Sequence, residues 1–286
     1  EVFKDQVEYK LFKYPDKLLK QLEYEKPDIM AFSNYTWNHN LSLHYASIVK
    51  KIYPEVIVVM GGPNIRLDKN GISSFLREYP YVDVYIPLEG EIPFCNLVKT
   101  MVKNRRPVSI SEHYKVSGDI RGCFLNVEGY DFAFLSKEDA EGSLDFGSPY
   151  LKGILDEFIL DANLIPIFEV VRGCPYKCTF CFWGMSSLKK LRVRDMELVK
   201  EEFRYVGLSG AKQETWFFAD ANFGILPHYL EIAQEVKAIN ETYGYPKRLG
   251  MNYPKVSSEM TMDIIDILKD MFPAQIAVQS FDSKVI

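Results

Sequence analysis

The sequence lacks both a large excess of one charge and a long apolar run. It has 34 Lys and Arg against 39 Asp and Glu, which gives a net charge of −5 over 286 residues. This balance gives no electrostatic reason to expect a nucleic acid or an anionic membrane as a partner. No apolar run reaches the roughly 18 residues that a membrane-spanning helix needs, so we expect no membrane association either.

Cysteine and histidine are scarce, with five and four copies. Three of the cysteines fall within one short segment, and the total is odd. Small secreted proteins usually carry an even disulfide framework spread over the chain. We therefore expect a reducing compartment, the cytoplasm, and a metal site built by the clustered cysteines.

The composition that remains is ordinary for a globular protein, with 47% hydrophobic and 26% charged residues, and the length suits two domains. The first third alternates apolar segments, which predict strands, with amphipathic segments, which predict helices. This βαβ pattern indicates a doubly wound, parallel α/β sheet. The predicted strands are Val7–Phe12, Ile29–Tyr35, Val56–Met60 and Val82–Ile86, and the predicted helices are Pro15–Glu25, Leu41–Ile52, Ile72–Glu78 and Pro93–Val102.

The alternation returns after a glycine-containing stretch with weak periodicity, which predicts a connector at residues 104–162. We therefore divide the chain into one α/β domain at 1–103 and a second at 163–286. In the second domain the predicted strands are Ile167–Val171, Thr215–Ala219, Leu249–Asn252 and Gln275–Gln279, and the predicted helices are Asp195–Val206, Pro227–Ile239 and Ser257–Met271.

The most informative segment holds Cys174, Cys178 and Cys181 at C-x-x-x-C-x-x-C spacing, directly after a predicted buried strand. Three thiolates on one loop can each bind one iron of a cubane iron–sulfur cluster. Because no fourth cysteine lies nearby, the fourth iron would stay open to a small molecule. An open metal position is typical of a catalytic site.

Two non-catalytic alternatives remain for this segment. A structural zinc site would need a fourth ligand such as Cys123 or His113, and its usual spacing is two C-x-x-C pairs. An electron-carrier cluster of the ferredoxin type would bring a fourth cysteine. Cys95 is interpreted as a packing thiol. Cys123 is interpreted in the same way, and its alternative is a thiol of a second site.

The cysteine segment closely resembles the signature of the radical S-adenosylmethionine (radical SAM) superfamily, C-x-x-x-C-x-aromatic-C, with Phe180 as the aromatic residue. The resemblance implies that the three cysteines hold a 4Fe–4S cluster and that S-adenosylmethionine chelates the open iron. Reductive cleavage would then release a 5′-deoxyadenosyl radical, with flavodoxin or ferredoxin as a possible class of electron donor. The implied fold is a partial (β/α)6 barrel with its site at the carboxyl ends of the strands.

The same resemblance implies contacts with S-adenosylmethionine from polar residues at strand ends. Their alternative role is that of polar residues satisfied by nearby backbone, and the family's Gly-Gly-Glu variant is absent. The implied residues are Asp220 and Asn222 after the second strand, Asn252 after the third, and Gln279 and Ser280 after the fourth.

Three short motifs in the first domain resemble the cobalamin-binding domain of class B radical SAM enzymes. Each follows a predicted strand, where open α/β sheets bind ligands. Glycine there would let the backbone approach a corrin edge or nucleotide tail, although Gly-Gly-Pro also occurs in plain turns. The implied cobalamin contacts are Ser33 and Tyr35, Gly61 and Gly62, and Glu89, Gly90 and Glu91.

Cobalt ligation stays open at this point. The D-x-H-x-x-G motif, whose histidine ligates cobalt in methionine-synthase-type domains, is absent. Tyr35 or Trp37 could shield the lower face of the cobalt, and the alternative is that both are ordinary core aromatics.

The resemblance implies a radical SAM enzyme that transfers a methyl group from methylcobalamin to an unactivated carbon of a small-molecule substrate. A radical rearrangement or cyclisation with the same cofactors is the runner-up. We also expect an internal fragment of a longer protein, with both domains incomplete. The cobalamin-type sheet should have one more strand before Glu1, and only four of the six barrel strands are predicted before Ile286.

Overall fold

The computed structural model describes residues 3, 6–103, 122–126, 144, 146–184, 190–211 and 213–275. It divides the chain into two compact units, Glu1–Gly142 and Ser143–Ile286, and each has its own sheet and core. The α/β class predicted from the sequence is confirmed. None of the helices formed by these residues has the length and apolar character that a membrane span requires.

The first unit is a sheet of four strands in the order β1-β2-β3-β4. The first three strands are parallel and β4 runs antiparallel to β3. β4 comes from the stretch that the sequence assigned to the connector. The strands are β1 (Ile29–Ser33), β2 (Ile57–Gly62), β3 (Val84–Pro87) and β4 (Phe124–Leu125), and the helices are α1 (Pro15–Tyr24), α2 (His39–Ile52), α3 (Lys69–Glu78) and α4 (Glu91–Lys103).

β2 lies at the centre of this sheet because its sequence is apolar on both faces. Val58 and Val59, which point to opposite faces of the strand, are both buried, as expected for a parallel strand covered by helices. Val58 packs with Ala46 and Val49 of α2, and Val59 packs in a separate cluster with Leu97 and Met101 of α4. The carboxyl ends of β1 and β2 therefore meet at one edge, where Ser33 pairs with Gly61.

The strand predicted at Val7–Phe12 is wrong, because the structure forms no strand over these residues. Their alternating pattern does not place an apolar face in the core, since Tyr9 and Leu11 are 61% and 45% exposed. Lys10 instead bonds through its side chain to Glu25.

The second unit has a parallel sheet in the order β5-β8-β9 and a separate antiparallel ribbon of β6 and β7. The strands are β5 (Ile167–Phe168), β6 (Val171–Arg172), β7 (Arg192–Val193), β8 (Thr215–Phe218) and β9 (Arg248–Gly250). The helices are α5 (Asp156–Ile159), α6 (Met196–Leu208), α7 (Tyr229–Tyr243) and α8 (Glu259–Leu268).

The single strand predicted at Ile167–Val171 is two strands, β5 and β6, which belong to different sheets. Of the fourth predicted strand, Gln275–Gln279, residues 276–279 lie outside the described residues. The other two predicted barrel strands are confirmed as β8 and β9, parallel to β5.

Aromatic side chains fill the core of this unit. Phe168 contacts Phe203 and Trp216 with ring centroids 4.9 Å apart, and all three are buried. Along β8 the buried positions are Trp216 and Phe218, while Phe217 between them is 40% exposed. The two-residue period of a strand continues past β8 and turns Asp220 toward the core.

Candidate active site

The three clustered cysteines lie on a loop that the ribbon of β6 and β7 closes at its base. Val171 pairs with Val193 and Arg172 with Arg192. Gly173 starts the loop with φ of 113°, a backbone region that favours glycine. The ribbon brings the two ends of the loop to strand spacing and so fixes where the loop begins and ends.

The cysteines differ in exposure. Cys174 is 8% exposed, Cys178 and Cys181 are half-buried, and all are free thiols. The N–H of Cys181 donates to the carbonyl oxygen of Cys178 at 3.2 Å. This hydrogen bond places the second and third cysteines, Cys178 and Cys181, in one tight turn.

The arrangement fits a cluster better than a single metal ion. Among the described residues, no three His, Cys, Asp or Glu side chains are close enough together to hold one ion. A cubane does not need such convergence, because each thiolate binds a different iron. Three free thiols on one loop are therefore a suitable donor set for a cluster.

Ion pairs hold the base of the ribbon. Arg194 donates to the two carboxylate oxygens of Glu202 at 2.9 Å and to the backbone oxygen of Glu169 at 3.2 Å. Arg172 donates to the carboxylate of Glu169, with the shortest distance at 2.6 Å. The side chains of Arg194 and Glu202 are only 12% and 1% exposed, so this pair is largely shielded from water and ties the ribbon to α6.

Asp220 lies against the backbone that leads into the cysteine loop. Its carboxylate accepts from the N–H of Val170 at 3.1 Å and of Val171 at 2.6 Å, and the hydroxyl of Tyr229 also donates to it. Asp220 is 1% exposed, and this burial raises its pKa to about 6 although the three donors oppose the shift. The carboxylate therefore serves contacts within the protein.

Asn222 reaches the cysteine loop itself. Its Nδ2 lies 3.2 Å from the Sγ of Cys174, and the two residues are 7% and 8% exposed. The structure thus places an amide donor of the Phe217–Gly224 segment directly on a sulfur of the clustered cysteines.

The ends of β8 and β9 meet beside this loop. The N–H of Phe223 donates to the carbonyl oxygen of Asn252 at 2.7 Å, while the side chain of Asn252 is exposed. The N–H of Val256, beyond β9, donates to the hydroxyl of Tyr176 at 3.3 Å. The cysteine loop therefore contacts the carboxyl ends of two neighbouring parallel strands, where such sheets bind ligands.

Phe180 projects from the loop with 69% of its surface exposed. Its position between two of the cysteines leaves the ring accessible to a bound molecule. Gln279 and Ser280 lie outside the described residues, so the structure does not place them.

In the first unit, an exposed aromatic pair stands after β1. The rings of Tyr35 and Trp37 stack with centroids 4.6 Å apart and an interplanar angle of 12°. Trp37 is 81% exposed and Tyr35 is 38% exposed, so the alternative of two core aromatics is wrong. Ser33 at the strand end is also exposed, and its hydroxyl accepts from Asn38 at 2.7 Å.

Asn34, between Ser33 and Tyr35, organises this edge, and sequence reasoning missed it. It is fully buried, and its Nδ2 donates to the hydroxyl of Tyr85 at 2.8 Å and to the backbone oxygen of Asn64 at 3.1 Å. Its Oδ1 lies 2.9 Å from Nδ1 of His39. The only available signal was its place between Ser33 and Tyr35, two of the implied cobalamin contacts.

The two glycines that end β2, Gly61 and Gly62, lie close to neighbouring backbone. A Cβ at Gly62, where φ is 128°, would lie 2.7 Å from the backbone oxygen of Asn34. A Cβ at Gly61 would lie 3.2 Å from the backbone oxygen of Ile86. Close approach of neighbouring backbone therefore explains both glycines before any cofactor is considered.

The third motif, Glu89 to Glu91, connects β3 to α4. Glu91 is the first residue of α4, and the carbonyl oxygen of Gly90 accepts from Phe94 at 2.9 Å. Among the residues that the structure describes, a Cβ at Gly90 would meet one atom, at 3.9 Å. This glycine is thus the one in the three motifs beside which a ligand could approach the backbone.

Cys123 packs inside the first unit, as its interpretation as a packing thiol predicted. It is 1% exposed, and this burial raises the pKa of its thiol to about 12. Cys95 lies on α4 and is half-buried.

The comparison with known families assigns a different family to each of the two units. Residues 6–98 match the B12 binding domain, and residues 168–285 match the radical SAM superfamily. The second match begins within β5 and includes the cysteine loop.

Two curated relatives match nearly the whole chain. The cobalamin-dependent radical SAM methyltransferase TokK of Streptomyces tokunonensis is 32% identical over 270 residues, which is 91% of this chain and 37% of TokK. The 2-(S-pantetheinyl)-carbapenam-3-carboxylate methyltransferase of Streptantibioticus cattleyicolor is 32% identical over 269 residues, again 91% of this chain and 37% of the relative. The chain thus spans 37% of the length of these relatives.

Solved structures show the same fold. TsrM of Kitasatospora setae, a radical S-adenosylmethionine methyltransferase with tryptophan substrate and a SAM analogue bound, superposes with a TM-score of 0.61 at 14% identity. The match covers 90% of this chain and 49% of TsrM. Another structure of TsrM, with cobalamin and a [4Fe-4S] cluster bound, has a TM-score of 0.60.

Proposed function

The chain belongs to the radical SAM enzymes that carry a B12-binding domain, and on this premise we propose that it transfers a methyl group from methylcobalamin to an unactivated carbon of a small molecule. The observation that carries the proposal is the loop of three free cysteines at the carboxyl ends of parallel strands. When bound, the cluster with S-adenosylmethionine supplies a 5′-deoxyadenosyl radical, and the cobalamin supplies the methyl group. The names of TokK and TsrM support methyl transfer as the reaction.

The loop residues have distinct roles in this proposal. Cys174, Cys178 and Cys181 would hold the cluster, and S-adenosylmethionine would bind at the position that the three cysteines leave open. The exposed ring of Phe180 packs beside that ligand, and the exposed side chain of Asn252 is available to its polar groups. Gln279 and Ser280 keep the same proposed role from the family resemblance.

Asp220 differs from these residues. Its carboxylate is buried and already accepts three hydrogen bonds from the protein. A contact with S-adenosylmethionine would require some of these bonds to break. We therefore assign Asp220 to shaping the entry of the cysteine loop.

For cobalamin we propose the edge formed by the ends of β1, β2 and β3. The stacked rings of Tyr35 and Trp37 offer a flat apolar surface that suits a corrin face. Ser33 and the open backbone at Gly90, flanked by Glu89 and Glu91, are proposed to contact the nucleotide tail, beside Gly61 and Gly62 at the end of β2. The buried side chain of Asn34 joins these loops through its hydrogen bonds to Asn64, Tyr85 and His39.

Anaerobic reconstitution with iron and sulfide tests the cluster. We expect a cubane spectrum that changes when S-adenosylmethionine is added, and we expect Cys178→Ala to abolish 5′-deoxyadenosine formation. Cys95→Ala, a half-buried cysteine outside the loop, is the matched control and should keep the yield. A colourless protein that holds one zinc ion, or an unchanged yield in Cys178→Ala, would contradict the ligand assignment.

The products distinguish methyl transfer from rearrangement. Methyl transfer consumes one S-adenosylmethionine to methylate cobalamin and another to generate the radical. We therefore expect S-adenosylhomocysteine together with 5′-deoxyadenosine in the cobalamin-loaded protein. Formation of 5′-deoxyadenosine alone would favour the rearrangement or cyclisation.

Tryptophan fluorescence tests the cobalamin site. Hydroxocobalamin should quench the emission of exposed Trp37, and Trp37→Phe should remove most of the quenching. Trp216→Phe is the matched control, because this tryptophan is fully buried in the second unit. Equal quenching in wild type and Trp37→Phe would refute the placement of the corrin on this pair.

Reductive cleavage needs one external electron, so we propose a low-potential donor of the flavodoxin or ferredoxin class and a cytoplasmic location. Support comes from the five free thiols, which suit a reducing compartment. Turnover with reduced flavodoxin in place of dithionite is the expected result, and turnover that only dithionite supports would count against a protein donor of this class.

A further inference from the structure

The side chain of Asn222 contacts one of the cysteine sulfurs directly. Its Nδ2 lies 3.2 Å from the Sγ of Cys174, within the range of an N–H···S hydrogen bond. Both residues are at most 8% exposed, so water does not compete for this contact as it would at the half-buried Cys178 and Cys181. Cys174 therefore has an amide donor of its own.

The donor is held in place by its surroundings. The backbone oxygen of Asn222 accepts from Ile225 at 3.2 Å, and the next residue, Phe223, donates to Asn252 at 2.7 Å. Phe223 is fully buried and packs against Phe218 with ring centroids 4.9 Å apart. These contacts fix the backbone turn that carries Asn222, and they therefore fix the direction of its side-chain amide toward the sulfur.

From this contact we propose that Asn222 is a positioning residue that tunes the reduction potential of the cluster through the sulfur of Cys174. The inference rests on the proposed function, since it requires the cluster. A donor to a coordinating thiolate stabilises negative charge, and the reduced cluster carries one more negative charge than the oxidised cluster. Hydrogen bonds to the sulfurs are among the factors that set such potentials, so the Asn222 amide raises the potential and eases the first electron transfer.

The test is a redox titration of the reconstituted full chain without S-adenosylmethionine, followed by the electron paramagnetic resonance signal of the reduced cluster. Asn222→Leu has nearly the shape of asparagine, keeps water out and removes the donor. We expect a more negative midpoint potential, with a roughly threefold to tenfold drop in the one-electron equilibrium constant, where tenfold corresponds to ~59 mV. Asn163→Leu, in an exposed loop, is the control and should leave the midpoint unchanged.

The outcomes separate this inference from the proposed function. If wild type forms no cubane that responds to S-adenosylmethionine, the proposed function fails. If wild type forms one and Asn222→Leu holds full iron with an unchanged midpoint, the inference is wrong. If that variant shows an unchanged midpoint but weaker binding of S-adenosylmethionine, Asn222 contacts the ligand instead of tuning the cluster.

A loading defect is also informative. Should Asn222→Leu lose iron, Asn222→Ala is titrated in its place. If both variants fail to hold a cluster that wild type and Asn163→Leu hold, Asn222 is needed to assemble the loop, and its proposed effect on the potential is wrong.

Discussion

At the scale of single residues, one buried carboxylate takes the place of a strand partner. Asp220 accepts the N–H groups of Val170 and Val171, two donors that would otherwise lie unpaired in the core. An unsatisfied buried N–H costs about 1–3 kcal/mol. Asp220 therefore stabilises the start of the cysteine loop while its own charge is disfavoured by burial.

Because burial disfavours the charged form of Asp220, we expect its contribution to the free energy of unfolding to depend on pH. The pKa of Asp220 is about 6 in the folded protein, above the roughly 3.9 expected when unfolded, so the folded state binds the proton more tightly. This contribution to stability is fully present below about pH 4 and is lost as the pH rises through 6. We expect the wild-type advantage over Asp220→Asn in urea titrations to be about 1 kcal/mol larger at pH 5 than at pH 7.

Tyr229→Phe provides the control for that measurement. It removes a hydroxyl donor that lowers the pKa of Asp220 and should move the pH-dependent step upward. An advantage over Asp220→Asn that is the same at both pH values would show that Asp220 is not the titrating group.

Residue roles were only partly predictable from the sequence. The C-x-x-x-C-x-x-C spacing and the resemblance identified the three cysteines because metal chemistry restricts both residue type and spacing. Asp220 and Asn222 were recognised as special, but their contacts with Val171 and Cys174 depend on packing across nearly fifty residues of sequence. Asn34 was missed because nothing in the sequence distinguishes an asparagine that bonds neighbouring loops from one in a turn.

At the scale of elements, the split of one predicted strand has a physical cause. The segment Ile167–Val171, which is apolar except for Glu169, predicts a single strand, and β5 does pair with β8 as far as Phe168. Beyond it the carboxylate of Asp220 captures the next backbone donors, so the chain leaves the parallel sheet and enters the ribbon. Periodicity cannot anticipate this change, because the competing acceptor, Asp220, lies nearly fifty residues further along the chain, beyond the end of β8.

The ribbon depends on the buried pair of Arg194 and Glu202. Removal of one partner of a buried ion pair typically costs about 3–5 kcal/mol. We expect Glu202→Gln to lower the free energy of unfolding by about 3 kcal/mol in urea titrations and to reduce iron retention by the loop.

The half-exposed pair of Arg204 and Glu235 on the neighbouring helices gives the matched comparison. Such pairs contribute at most about 1 kcal/mol, so Glu235→Gln should have a small effect and leave iron retention unchanged. Equal losses in the two variants would show that the Arg194–Glu202 pair has no special role at the ribbon.

At the scale of the whole molecule, the two candidate cofactor sites belong to different units with separate cores. The B12-binding match at 6–98 lies in the first unit, and the cysteine loop lies in the second. A ligand that binds only the native state stabilises it by about 2.7 kcal/mol at a hundredfold excess over Kd. Each cofactor should therefore protect mainly the unit that binds it.

Hydrogen exchange with mass spectrometry resolves the two effects in the full chain. Hydroxocobalamin should slow exchange in peptides that contain the turn after β1 and the end of β2 at Gly61 and Gly62, because cofactor binding opposes their opening. Reconstitution with iron and sulfide should slow exchange between β6 and β7. In Cys178→Ala the protection by cobalamin should persist while the protection by iron is lost. Protection by cobalamin that is absent from the first unit, or that disappears with Cys178, would contradict the assignment of one cofactor to each unit.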